Sequence, residues 1–66
     1  MPTPSALWDR YIDPSVAYVE VLNCSRRHTI AHLFDLDSDL TLNEAAEIAD
    51  TLIAYAERMC EEEPHA

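Results

Sequence analysis

Residues 16–36 read VAYVEVLNCSRRHTIAHLFDL, and the fold class turns on them. The run at 16–22 is dense in β-branched and aromatic side chains, a composition suited to a pleated, half-buried surface. As a strand it places Ala17, Val19 and Val21 on one face and Val16, Tyr18, Glu20 and Leu22 on the other, with Glu20 marking the wetter side. The polar run at 23–27 (NCSRR) reads as a turn. The chain has no glycine, so Asn23 is the residue best suited to a left-handed position there. Residues 28–36 (HTIAHLFDL) admit two readings. As a strand they align Ile30, His32, Phe34 and Leu36; as a helix capped by Ser25 they align Ile30, Leu33 and Phe34. The strand gives residues 16–22 a partner for their backbone groups, which an isolated strand lacks. An antiparallel hairpin is therefore the expectation.

Downstream, residues 42–60 (LNEAAEIADTLIAYAERMC) leave no such ambiguity. Apolar residues fall at Ala45, Ile48, Ala49, Leu52, Ile53, Ala56, Met59 and Cys60, the three-and-four spacing of one buried helix face. Thr41 followed by Glu44 supplies a capping box at the helix start. The other face carries Glu44, Glu47, Asp50, Glu57 and Glu61, with Arg58 the basic residue among them. Upstream, Ser5 can cap a short helix over 6–12 that aligns Leu7, Trp8, Tyr11 and Ile12. Asp13-Pro14 ends it, because the residue before proline avoids the helical region. The tail from Glu61 (EEEPHA) is charged and is expected to fray at Pro64. The expected fold is α+β: a short N-terminal helix, an antiparallel hairpin with room for a third strand, and a long amphipathic helix whose alanines lie close on the sheet. A two-stranded hairpin is marginal alone, so this helix must supply much of the burial.

Sixty-six residues fit one small domain, and a chain that is 48% apolar has enough for a core. Thirteen acidic residues stand against four arginines and no lysine, giving a formal charge of −9. Such a chain repels nucleic acid and anionic membranes and attracts basic partners. A salt-adapted proteome, or an arginine- and alanine-rich genome, are the alternative sources of this composition. The N-terminus lacks the apolar run of a secretory signal, and no stretch approaches the ~20 apolar residues of a membrane span. A cytoplasmic protein with reduced thiols is expected, with a Cys24–Cys60 disulfide as the alternative.

Three constellations bear on chemistry. Asp35, Asp37 and Asp39 alternate like the opening of an EF-hand calcium loop, but Leu40 stands where glycine is needed and Ala46 where the closing glutamate is needed. Cys24, His28 and His32 are spaced by four. On a helix they share a face and the histidines can share a zinc ion; on a strand, positions four apart are about 13 Å apart and cannot. A catalytic site needs a water-excluding pocket, for which a glycine-free chain of this size has little material. Neither an enzyme nor a bound cofactor or metal is expected.

The acid itself is the stronger signal. An ordinary exposed helix alternates glutamate with lysine at i,i+4 for support, and this one forgoes almost all such pairs. In size, acidity and lack of catalytic motifs, through residues 35–39 and the acidic face from Glu44 to Glu61, the chain resembles the acidic phage-encoded anti-CRISPR proteins that imitate DNA. That group has no common motif, so no residue carries over by position. The resemblance implies an inhibitor in the host cytoplasm that blocks the DNA-binding site of a CRISPR effector subunit or other defence protein. Asp35, Asp37, Asp39, Glu44, Glu47, Asp50, Glu57 and Glu61 are the expected partner-binding residues. The alternatives are an antitoxin-like or adaptor module, a monomer or weak homodimer joined through Tyr18, Tyr55 and Met59, and, behind it, a calcium-binding protein.

Overall fold

The computed structural model describes residues 3–62 as four α-helices: α1 (Pro4–Tyr11), α2 (Tyr18–Asn23), α3 (Arg26–Leu36) and α4 (Leu42–Glu62). No strand forms among the described residues, so the expected α+β fold with a hairpin is wrong. Both expected strands are helices, and the hairpin that each supplied to the other disappears with them.

The reason lies in caps and burial. Residues 13–16 form a turn before α2: Asp13 Oδ1 accepts from Ser15 N–H at 2.9 Å and Ser15 Oγ–H at 2.8 Å, and Val16 N–H donates to the Asp13 carbonyl. The chain thus enters residues 18–23 already turning. Helical spacing then groups Tyr18, Val21 and Leu22 against the core, with Val21 buried, while Val19 is 53% exposed. A strand would have put Val19 and Val21 on the same side. At α3, Ser25 Oγ accepts from His28 N–H at 3.1 Å, an N-cap that satisfies one of the helix's orphan donors. Leu33 is fully buried, with Ile30 and Phe34 packed beside it, whereas His32 and Leu36 face outward. The face Ile30–His32–Phe34–Leu36 required by a strand does not exist. Asn23 is helical rather than left-handed; no described residue has positive φ.

α1 begins two residues earlier than the Ser5 cap implied. Thr3 Oγ1 accepts from Ala6 N–H at 3.3 Å, and Pro4 takes the first helical position, where a missing N–H costs nothing. Its face is as expected: Trp8, Tyr11 and Ile12 are buried and Leu7 is half-buried. α4 starts where the capping box puts it. Glu44 N–H donates to Thr41 Oγ1, and Thr41 N–H donates to Glu44 Oε1, each at 3.1 Å.

Each of the three shorter helices packs on α4, which is the centre of the domain. Ala45, Ala49, Leu52 and Ala56 have no exposed surface. Three alanines in four such positions allow neighbouring backbones to come close. Leu33 and Leu52 fill the space that remains, each burial stabilising the fold by about 1.5–3 kcal/mol. Trp8, Tyr18 and Tyr55 close one side, with ring centroids 4.8–5.7 Å apart and tilted or edge-on planes. Cys24 and Cys60 are free thiols, so the alternative disulfide is absent. No helix among the described residues is long and apolar enough to cross a membrane.

Candidate functional site

Burial of the alanine stripe fixes the opposite side of α4 in solvent. Glu44, Glu47, Asp50, Glu57, Glu61 and Glu62 are all exposed there. Six carboxylates over about 27 Å of helix is one per ~5 Å, sparser than the one per ~3.4 Å of a single DNA strand. They fall into two groups. Glu44, Glu47 and Asp50 lie near the helix start; Glu57, Glu61 and Glu62 lie near its end, beyond an acid-free interval of about 10 Å.

The two groups differ in what holds them. Glu44 completes the capping box, at the end of the helix where the dipole favours negative charge. Asp50 is bound by Arg26 of α3 through Nε to Oδ1 at 2.6 Å and Nη2 to Oδ2 at 3.3 Å, a bidentate pair across the helix packing. That hydrogen bonding, more than the bare charge, holds the Asp50 carboxyl below its ordinary range. Asp50 is thus partly neutralised, and it serves the fold as well as the surface. The second group has no such support. Glu57 and Glu61 are like charges at i,i+4, Glu61 and Glu62 sit in a last turn that has no basic residue, and the dipole there opposes them.

The three loop aspartates do not extend the face as one strip. Asp35 is exposed on the last turn of α3. Asp37 is half-buried at the α3 C-terminus, and its Oδ1 accepts from Asp39 N–H at 3.1 Å. Asp39 is exposed in the turn that follows. Of the eight expected residues, Asp37, Glu44 and Glu47 share one open groove between α1 and α4, of about 540 Å³. Glu57 and Glu61 lie well down the helix from it.

A second groove, of about 300 Å³, has Ile12, Val16 and Val21 as its apolar lining and Asp13, Glu20, Cys24, His28 and His32 at its rim. The four-residue spacing of the cysteine and histidines pointed to it only under the helical reading. His32 is already committed: its Nε2–H donates to the Tyr11 carbonyl at 3.2 Å, tying α3 to the end of α1. Hydrogen bonds from the Ser15 backbone and side chain hold Asp13 below its ordinary range. Among the described residues no three His, Cys, Asp or Glu side chains are placed to hold a metal ion.

The apolar residues expected to join two copies are largely used within the chain. Tyr18 and Tyr55 stack with Trp8, and Met59 is half-buried. The large apolar residues left exposed are Val19, Leu36 and Leu42. No protein-family model, curated protein or solved structure matches this chain.

Proposed function

We propose that this chain is a non-catalytic binding protein that uses the acidic face of α4 to occupy a basic, nucleic-acid-binding surface on another protein. The observation that carries the reading is the Glu57, Glu61 and Glu62 group. The C-terminal end of a helix favours cations, and these three acids stand there with Arg58 the one basic residue beside them among the described residues. Nothing in the packing of the domain calls for them, and they cost local stability. A field kept at such a cost fits one that is used. The sparser spacing relative to DNA means that mimicry is partial: the face offers two acidic groups separated by about 10 Å, roughly two turns of helix, not a continuous strand. A CRISPR effector or another defence protein is the narrower form of this reading, and it rests on the compositional resemblance alone.

The test is displacement. The protein is immobilised, loaded with basic nucleic-acid-binding proteins, and eluted with duplex DNA. Release by DNA, and a loss of binding of about tenfold or more as salt rises from 50 to 200 mM, are expected for an interface dominated by charge. The double variant Glu57→Gln, Glu61→Gln keeps the length and polarity of both side chains. If it retains full binding, the reading is wrong. A salt-adapted surface makes the opposite prediction: the variant changes the salt dependence of stability and leaves binding alone.

A further inference from the structure

The groove between α1 and α4 has a chemistry distinct from the rest of the acidic face. Its floor is apolar: Tyr11 is buried, and Leu7, Leu40 and Ile48 are half-buried. Its walls are charged. Glu44 and Glu47 rise from α4, Asp37 closes one end, and Arg10 stands on α1 with its guanidinium 5.4 Å from the Tyr11 ring centre. The groove therefore carries three carboxylates and one cation around an apolar base.

We infer that this groove docks a short basic and apolar segment of a protein partner, with a leucine-sized or aromatic side chain on the floor and flanking arginines or lysines on Glu44, Glu47 and Asp37. The inference rests on the binding function proposed above and names what one part of the partner must look like. Charge complementarity selects the occupant. An acidic segment, or a nucleic acid, meets a wall of like charge in a chain of net charge −9. A wholly apolar ligand strips water from three carboxylates without pairing them, which is unfavourable. A cation-flanked apolar segment satisfies floor and walls together. The cavity, about 540 Å³, falls in the range of small binding sites, and its length along α4 from Glu44 to Thr51 is about 10 Å, room for one or two anchoring side chains.

The experiment uses a fluorescein-labelled synthetic peptide of twelve residues built from alternating pairs of arginine and leucine, followed by anisotropy at low salt against the full chain. Saturable binding is expected, weakening about tenfold when the leucines become serine and by a similar factor when the arginines become glutamine. Glu47→Gln should weaken binding several-fold. Thr51→Arg, which leaves the floor untouched and replaces threonine with a better helix former, should block the groove and weaken it further. The Glu57→Gln, Glu61→Gln variant should bind the peptide within about twofold of the parent, because those residues lie outside the groove. Equal binding of the serine peptide overturns the inference, as does equal weakening by the distal pair, which would mean diffuse attraction. A dimer in sedimentation equilibrium that Thr51→Arg dissolves also overturns it, since a second copy would then fill the groove. Failure here leaves the displacement test intact, because that test is decided at Glu57 and Glu61.

Discussion

α2 and α4 pack against each other, yet they are helical for different reasons. α4 is helical by its own sequence: 21 residues, rich in alanine and glutamate, opened by a reciprocal capping box. α2 has six residues, three of them valine or tyrosine in its first four, and its N-cap, Ala17, offers no side-chain hydrogen bond. A helix this short does not persist alone in water. It exists because the turn at 13–16 delivers it to α4 and because Val21, Tyr18 and Leu22 find burial there as a helical triplet. Local preference decides the long element, and the long element then decides the short one.

That dependence can be broken from the side of α4. Leu52→Ala removes a fully buried side chain at the centre of the packing and should cost about 3 kcal/mol, lowering Tm by well over 10 °C in a thermal melt. A shift of a few degrees would mean that α4 is not the centre of the domain. Val21→Ala removes the one buried anchor of α2 and should cost about 1–2 kcal/mol. Hydrogen exchange should then accelerate at the amides of α2 more than at those of α4; uniform acceleration would show α2 to be as self-sufficient as α4.

Caps sharpen the contrast. Thr41→Ala should destabilise by about 1 kcal/mol, whereas Ala17→Ser, supplying the cap that α2 lacks, should stabilise by about 0.5–1 kcal/mol in chemical denaturation. Val19→Ala separates helix from strand directly. At an exposed helical site alanine is better than valine by a few tenths of a kcal/mol, and at a strand site it is worse. A loss of stability would restore the hairpin. The smallest effect concerns the Arg26–Asp50 pair between α3 and α4. The Asp50 carboxyl is held below its ordinary 3.8, so its contribution is fully present above that value and is lost as pH falls through the lower, folded one. An NMR titration should place the Asp50 transition below its ordinary 3.8, and Arg26→Gln should return it toward that value while hardly altering stability at neutral pH.

The parts of the fold legible from sequence were those where local chemistry was sufficient. The Thr41–Glu44 box and the spacing of Ala45, Ala49, Leu52 and Ala56 identified α4 and its buried face. Leu7, Trp8, Tyr11 and Ile12 identified that of α1, although its cap is Thr3 rather than Ser5. Residues 16–22 and 28–36 were misassigned together, because a short apolar run fits both periodicities and each strand justified the other. The Ser25 cap of the helical reading was the deciding clue: a serine three residues before His28 N–H is a helix start, and granting α3 leaves residues 16–22 with no strand to pair with. The candidate site was legible as a set of residues but not as an arrangement. Nothing along the chain indicates that Asp50 is taken by Arg26, 24 positions away, or that Asp37, Glu44 and Glu47 converge while Glu57 and Glu61 lie apart.

The helices α1, α2 and α3 all end in residues with extended backbone: Ile12, Cys24 and Asp37. Helix ends of this kind accept any L-residue, whereas the common left-handed ending calls for glycine. The consequence falls on the unfolded chain. At average usage, 66 residues would include about five glycines, each enlarging the unfolded ensemble by the equivalent of about 0.4–1 kcal/mol relative to alanine. This chain has none and carries four prolines besides. Its denatured state is correspondingly less roomy, by about 2–5 kcal/mol, in a domain whose whole stability is expected near 3–10 kcal/mol. A protein with this much self-repulsion therefore owes part of its persistence to how little freedom it gains by coming apart.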